Sequence, residues 1–208
     1  MTILFDLDGT LIDSTDAILE SFKVAYETLG DIPPSQEDIK ALIGYPLDMM
    51  FEDLGIKNDK WLYVEAYKKH YRIISRSQTT LLPLAREAIE EASKFARLGI
   101  VTTKTAQYSR ELLEHMDIMR YFDVLIGRES VENPKPHAEP IHKAIKELDA
   151  DYASTWMIGD TLLDINSAKN AGIRSVGVLC GYGTKADLEA NTTFIADNTF
   201  DAIKLINS

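Results

Sequence analysis

Asp6-Leu7-Asp8-Gly9-Thr10 sets two carboxylates two residues apart, directly after the apolar, β-prone run from Thr2 to Phe5. Such a pair is either an Asx-type turn or a nucleophile beside an acid/base, with Gly9 letting backbone approach a phosphate or a metal. Three other stretches hold groups of related chemistry. Thr102 ends the run Gly99-Ile100-Val101, and on its own reads as a helix cap. Asn133-Pro134-Lys135-Pro136 clamps a lysine between prolines, which makes a rigid surface turn or, just ahead of a predicted helix, an anion site. Gly159-Asp160-Thr161-Leu162-Leu163-Asp164 puts two aspartates around a strand-to-helix turn, as caps or as hard oxygen ligands for magnesium. If one sheet edge gathers Asp6, Asp8, Asp160 and Asp164, their mutual repulsion amounts to several kcal/mol each. A divalent cation and Lys135 would offset most of it, so a metal follows from charge balance.

These positions need elements to bring them together. After the strand ending at Phe5, Ser14 or Thr15 caps a helix with Ile18, Phe22, Ala25, Tyr26 and Leu29 on one face, stopped by Gly30. Further helices are predicted from Ser35 to near Gly44, over 46–55 and over 59–75, giving a small bundle. From Leu84 the pattern changes to helices and strands in alternation. Helices are predicted at 85–96, 109–116, 138–148 and 163–171. Strands are predicted at 98–102, 123–126, 155–158 and 175–179, with a last pair near Phe194 and Ile203. This implies βαβ units, a parallel sheet and ligands at its carboxyl ends. The expected fold is therefore α/β: a doubly wound, Rossmann-like core of residues 1–13 and 84–208 with an α-helical cap inserted at 14–83.

The 208 residues carry 22 lysines and arginines against 33 acids, a formal charge of −11. That disfavours nonspecific attraction to nucleic acid or an anionic membrane. No apolar run approaches the ~20 residues of a membrane span, and Asp6 and Asp8 interrupt any signal-peptide pattern. The lone Cys180 precludes an internal disulfide and reads as a small buried thiol on a strand. The expected setting is cytoplasmic, and the expected partner is a small phosphorylated metabolite, with the chain a monomer or homodimer.

Taken in order, the four motifs resemble those of the haloacid dehalogenase superfamily, in its phosphatase branch with a helical cap. The likeness to phosphoglycolate phosphatases runs through residues 6–14, Gly44-Tyr45-Pro46-Leu47, Val101-Thr102-Thr103-Lys104 and Lys135-Pro136. The resemblance implies that Asp6 is the nucleophile and a Mg²⁺ ligand, and that Asp8 is the acid/base and lends its backbone carbonyl to the metal. It further implies that Thr102 and Lys135 hold the phosphoryl group, that Asp160 is a metal ligand and that Asp164 supports the shell. Thr103 stands where the family often has asparagine, beside the phosphate, and Tyr45 would face the cleft and read the leaving group.

Departures from the family narrow the activity. An aspartate at position 8 argues against carbon–halogen cleavage. Gly159 in place of a glutamate, and Ile18 near where mutases carry a histidine, argue against sugar-phosphate mutation. Pyrophosphate and sugar phosphates stay open as alternative substrates. A phosphorelay receiver or an inactive binding protein are the non-enzyme alternatives. The histidines His70, His115, His137 and His142 show no metal-ligand spacing, and Tyr63, Tyr67 and Tyr71 read as bundle core rather than as a substrate box.

Overall fold

In the computed structural model, which describes all 208 residues, β1 (Thr2–Phe5) has every side chain buried. A continuous apolar run is what a strand covered on both faces requires. A two-residue strand β2 (Ile12–Asp13) then leads into four helices, α1 (Thr15–Thr28), α2 (Gln36–Lys40), α3 (Leu47–Asp53) and α4 (Lys60–Ile74). The chain returns through β3 (Thr80–Leu81), antiparallel to β2. The remainder alternates: α5 (Ala85–Ala92), β4 (Arg97–Val101), α6 (Ala106–His115), β5 (Val124–Ile126), α7 (Glu139–Glu147), β6 (Thr155–Gly159), α8 (Leu162–Ala171), β7 (Arg174–Val178), α9 (Lys185–Asn191), β8 (Ile195–Ala196) and α10 (Thr199–Ile206). No helix is long and apolar enough to cross a membrane.

Six strands form one parallel sheet in the order β5-β4-β1-β6-β7-β8. The central β1 has β4 on one side and β6 on the other, so the winding reverses there, where open α/β sheets bind ligands. Phe5 stands opposite both Ile100 and Ile158, which brings the residues just beyond these strands to one level. The ladder runs one residue further, with Asp6 N–H bonded to the Ile158 carbonyl and Thr102 N–H to that of Ile126, each at 2.9 Å.

Side chains alternate across the sheet. Ile3, Phe5, Ile100 and Ile158 pack with α5, α6 and α10 on one face, and Leu4, Val101 and Met157 pack with α7 and α8 on the other. The four inserted helices hold a separate apolar cluster. Its centre is Phe51, fully buried, whose ring lies 4.5 Å from Phe22, 5.5 Å from Tyr63, 6.0 Å from Tyr26 and 6.2 Å from Tyr67, centre to centre.

Several boundaries differ from the sequence expectation for identifiable reasons. Helix α5 stops at Ala92 rather than running to 96, because Lys94, Phe95 and Ala96 turn the chain so that Arg97 can bond Met1 and enter the sheet. Helix α2 ends at Lys40, since Gly44 at φ 110° and an Ile43–Tyr45 bridge shape the following turn. Helix α6 begins three residues early because its cap is tertiary: both Glu129 carboxylate oxygens accept from Ala106 N–H, at 2.9 and 3.0 Å. Ser14 does not cap α1; its hydroxyl donates to Asp8, and Asp13 accepts from Thr15 N–H instead. The short α9 escapes the sequence reading because Leu188 is its one buried residue. Cys180 lies past the end of β7, half-buried, its thiol directed at the Gly9 carbonyl, rather than on a strand.

Truncating Phe51 to alanine leaves a large void with four aromatic neighbours. Phe51→Ala should cost about 3–5 kcal/mol of stability in equilibrium denaturation. A loss below about 1 kcal/mol would mean that the inserted helices do not share one rigid core.

Candidate active site at the carboxyl ends of the sheet

Four loops deliver the polar residues. Asp6 follows β1, Thr102 follows β4, Lys135 lies between β5 and α7, and Asp160 and Asp164 flank the turn from β6 into α8. The Lys135 ammonium, 3% exposed, sits 2.8 Å from Asp6 Oδ1 and also bonds Asp164 Oδ1. Asp6, Asp160 and Asp164 are all buried, and each offers an oxygen within 4.8 Å of the other two.

The local backbone makes that crowding possible. Thr10 Oγ1 donates to Asp160 Oδ1 at 2.9 Å and Tyr182 N–H to its Oδ2 at 2.8 Å, so Asp160 is held from both sides. Asp164 caps α8 by accepting from Thr161 N–H and Oγ1, at 3.1 and 2.8 Å, while its other oxygen faces Lys135. The two readings of these aspartates, helix caps and cation ligands, are thus compatible. A side chain at Gly159 would overlap Asp164, and one at Gly9, with φ at 84°, would strike the Asp160 carboxylate and the Tyr182 ring. Backbone at both places must pass too close for a Cβ.

Burial above all, with Asp164 and Asp8 adding to it and Lys135 opposing, raises the Asp6 carboxyl to about 7. Asp160 is raised well above the ordinary carboxylate range by burial, then by Asp6 and Asp164. Burial works against a charged Lys135, but Asp164 and Asp6 overcome this and hold its pKa above that of a free lysine. One ammonium does not balance three carboxylates. An all-oxygen, carboxylate-rich donor set with surplus negative charge fits a hard divalent cation.

Asp8 stands apart from this triad. Its carboxylate accepts from Ser14 Oγ and from Lys104 Nζ, at 3.1 Å to Oδ1 and 3.0 Å to Oδ2. Sequence reasoning gathered Asp8 with the other acids and assigned Lys104 no role. The available signal was a lysine two residues beyond the strand-end threonine in a strongly acidic chain. Burial opposes the charge on Lys104 too, but Asp8, Tyr71 and Tyr67 raise its pKa well above the ordinary lysine value. Tyr182 was also missed, though glycines on both sides of it mark a backbone that packs closely.

The remaining predicted positions are placed as follows. Thr102 is buried, and its hydroxyl accepts from Lys104 N–H at 3.2 Å. Thr103 directs its hydroxyl not at the acidic cluster but at the Gly44 carbonyl, 2.7 Å away in the inserted helices. Tyr45, 39% exposed, lines a cavity of about 290 Å³ between insertion and core, together with Asp8 and Lys104.

Residues 3–178 match the family described as haloacid dehalogenase-like hydrolase. The chain belongs to that family. Among its members, a protein of Dickeya dadantii named probable phosphatase IndB is 32% identical, over 97% of this chain and 90% of its own. Pyrophosphatase PpaX of Bacillus cereus is 33% identical over all of this chain and 96% of its own. A haloacid dehalogenase-like family hydrolase from Streptococcus pneumoniae superposes with a TM-score of 0.89 at 29% identity, covering 98% of this chain and 97% of that one. This haloacid dehalogenase-like hydrolase thus shares both sequence and fold with its relatives along nearly its whole length.

Without a divalent ion, the buried Asp6 should make the protein less stable as pH rises. Unfolded, its carboxyl ionises near 3.8; folded, it holds its proton to about 7, so the native state binds more protons across that window. Where the native state binds the extra proton, unfolding free energy falls with rising pH. Thermal unfolding in chelator should therefore give a lower Tm at pH 7 than at pH 5, and magnesium should flatten the difference. A Tm that rises between those pH values in chelator would contradict the burial of an unbalanced carboxylate.

Proposed function

We propose that this hydrolase is a magnesium-dependent phosphatase of small phosphate monoesters, acting through an aspartyl-phosphate on Asp6. The observation that carries this reading is the state of the Asp6 carboxylate. Lys135 holds one oxygen at 2.8 Å and favours the ionised carboxylate, the form able to attack phosphorus. In the first step a carboxylate oxygen of Asp6 forms a bond to phosphorus, the ester P–O bond breaks, and Asp8 gives its proton to the departing alkoxide. In the second, Asp8 takes a proton from water, the water oxygen bonds phosphorus, and orthophosphate leaves as Asp6 is regenerated.

Thr102 and Lys135 orient the phosphoryl oxygens in this scheme, and Lys135 stabilises their charge. Asp6, Asp160 and the Asp8 carbonyl would hold the cation, with Asp164 supporting the shell. Bound there, magnesium would neutralise phosphoryl charge and fix the in-line geometry. Residues 14–83 act as a cap on the core of residues 1–13 and 84–208, joined to it through the β2–β3 ribbon. Its contacts on the core, from Gly44 to Thr103 and from Thr15 Oγ1 to Tyr182 Oη at 2.9 Å, would break on opening and re-form on closure, excluding water.

Phosphoglycolate enters as a candidate through the motif resemblance, and pyrophosphate through the name of the Bacillus cereus relative. A phosphate-release screen over small esters, with magnesium and with chelator, tests the class. Asp6→Asn should fold as the wild type does and lose about a thousandfold or more in kcat. Retention of a tenth of the wild-type kcat would exclude a covalent Asp6 intermediate. Asp8→Ala should hurt an alkyl phosphate at least tenfold more than an aryl phosphate, because a good leaving group has less need of a proton. Equal losses on the two esters would remove Asp8 from the acid/base role.

A further inference from the structure

The cavity between cap and core is the space left for whatever carries the phosphate, if the phosphatase reading above holds. Its wall next to Asp8 is made of Tyr67 and Tyr71, stacked with ring centres 5.5 Å apart and planes 12° from parallel. Leu47, Met50 and Val64 continue the apolar surface, and Trp61, 56% exposed, stands at the rim. The Tyr71 hydroxyl is buried between Lys104 and Ser14, both close enough to interact with it.

The charges on the lining largely cancel. Lys104 is engaged by Asp8, Arg128 Nε lies 3.7 Å from Asp48, and Glu129 caps α6. Lys68 is left as the one cation with no carboxylate within 4.0 Å. A leaving group that is itself a phosphate brings about two negative charges and strong hydration to this surface. One unpaired lysine, an arginine drawn toward Asp48 and a wall of tyrosines and aliphatic side chains do not replace that hydration. A ring or branched alkyl group, by contrast, gains from burial against Leu47, Met50, Val64 and Trp61. At about 290 Å³ the cavity is at the small end of ligand sites, roughly twice the ~150 Å³ that accommodates a benzene ring.

We infer that the substrate is the phosphate monoester of a compact, largely apolar alcohol or phenol, and that pyrophosphate is a poor substrate. This inference rests on the phosphatase reading and narrows it. Binding of phosphonates, which cannot be hydrolysed, tests it apart from turnover: benzylphosphonate, methylphosphonate, phosphonoacetate and methylenediphosphonate, by calorimetry at fixed free magnesium. Benzylphosphonate should bind about tenfold or more tightly than methylphosphonate, as burial of a ring implies, and more tightly than either probe with an anionic tail. Trp61→Ala should shrink the benzyl-to-methyl ratio several-fold. Tighter binding of phosphonoacetate or methylenediphosphonate, or no benzyl advantage, would overturn the inference. If benzylphosphonate binds as expected but no ester is turned over, the phosphatase reading falls and the assignment of the cavity stands.

Discussion

Three carboxylates and one ammonium, all withdrawn from water within a few ångströms at the reversal point of the sheet, set the terms for everything around them. Buried like charges repel strongly, and each loses its hydration. The surrounding chain answers with fixed donors: Lys135 for Asp6 and Asp164, Thr10 and the Tyr182 amide for Asp160, Thr161 for Asp164. The answer remains incomplete, and the raised carboxyls of Asp6 and Asp160 express the deficit. A rigid pocket with an unmet demand for positive charge is suited to bind a cation and a phosphoryl group in turn, since each removes part of the strain left by the other.

The parallel sheet is what makes this cluster affordable to build from residues more than a hundred positions apart. Central strands tie Asp6 to Ile158 and bring Thr102 alongside Ile126 by backbone hydrogen bonds, so the polar loops inherit their register from an apolar core. That core packs on both faces with alternating side chains, and the polar residues occupy the one edge where neither layer covers them. Positioning and chemistry are therefore divided between interior strands and the loops that cross their ends.

The strands and the acidic loops were legible because their signals are local. An apolar run stopping at Asp6 or at Gly159-Asp160 announces a strand and its end in the same few residues, and alternation with helices fixes the class of sheet. Contacts made across the fold left weaker traces. Lys104 is an ordinary surface-type residue until the fold sets it against Asp8 and the Tyr71 ring, 4.8 Å from its centre. The cap of α6 comes from Glu129, more than twenty residues along the chain, so no local pattern could place its start. Tyr67 and Tyr71 were read as bundle core rather than as cleft residues. They are both, packed into the aromatic cluster of the inserted helices and bordering the cavity, and helical periodicity reports only the first.

The short β2–β3 ribbon has an architectural consequence. Ile12 is paired with Leu81 and Asp13 with Thr80, so the two ends of the inserted helices leave the core on adjacent rungs, about 5 Å apart. An insert whose ends lie that close imposes no span on its host: the sheet closes behind it as it would behind a tight turn. The helical segment thus leaves and rejoins the sheet-bearing part of the chain through one short ribbon. A longer or differently lined insert would therefore meet the sheet at the same two rungs, leaving the register of the strands that carry the buried charges unchanged.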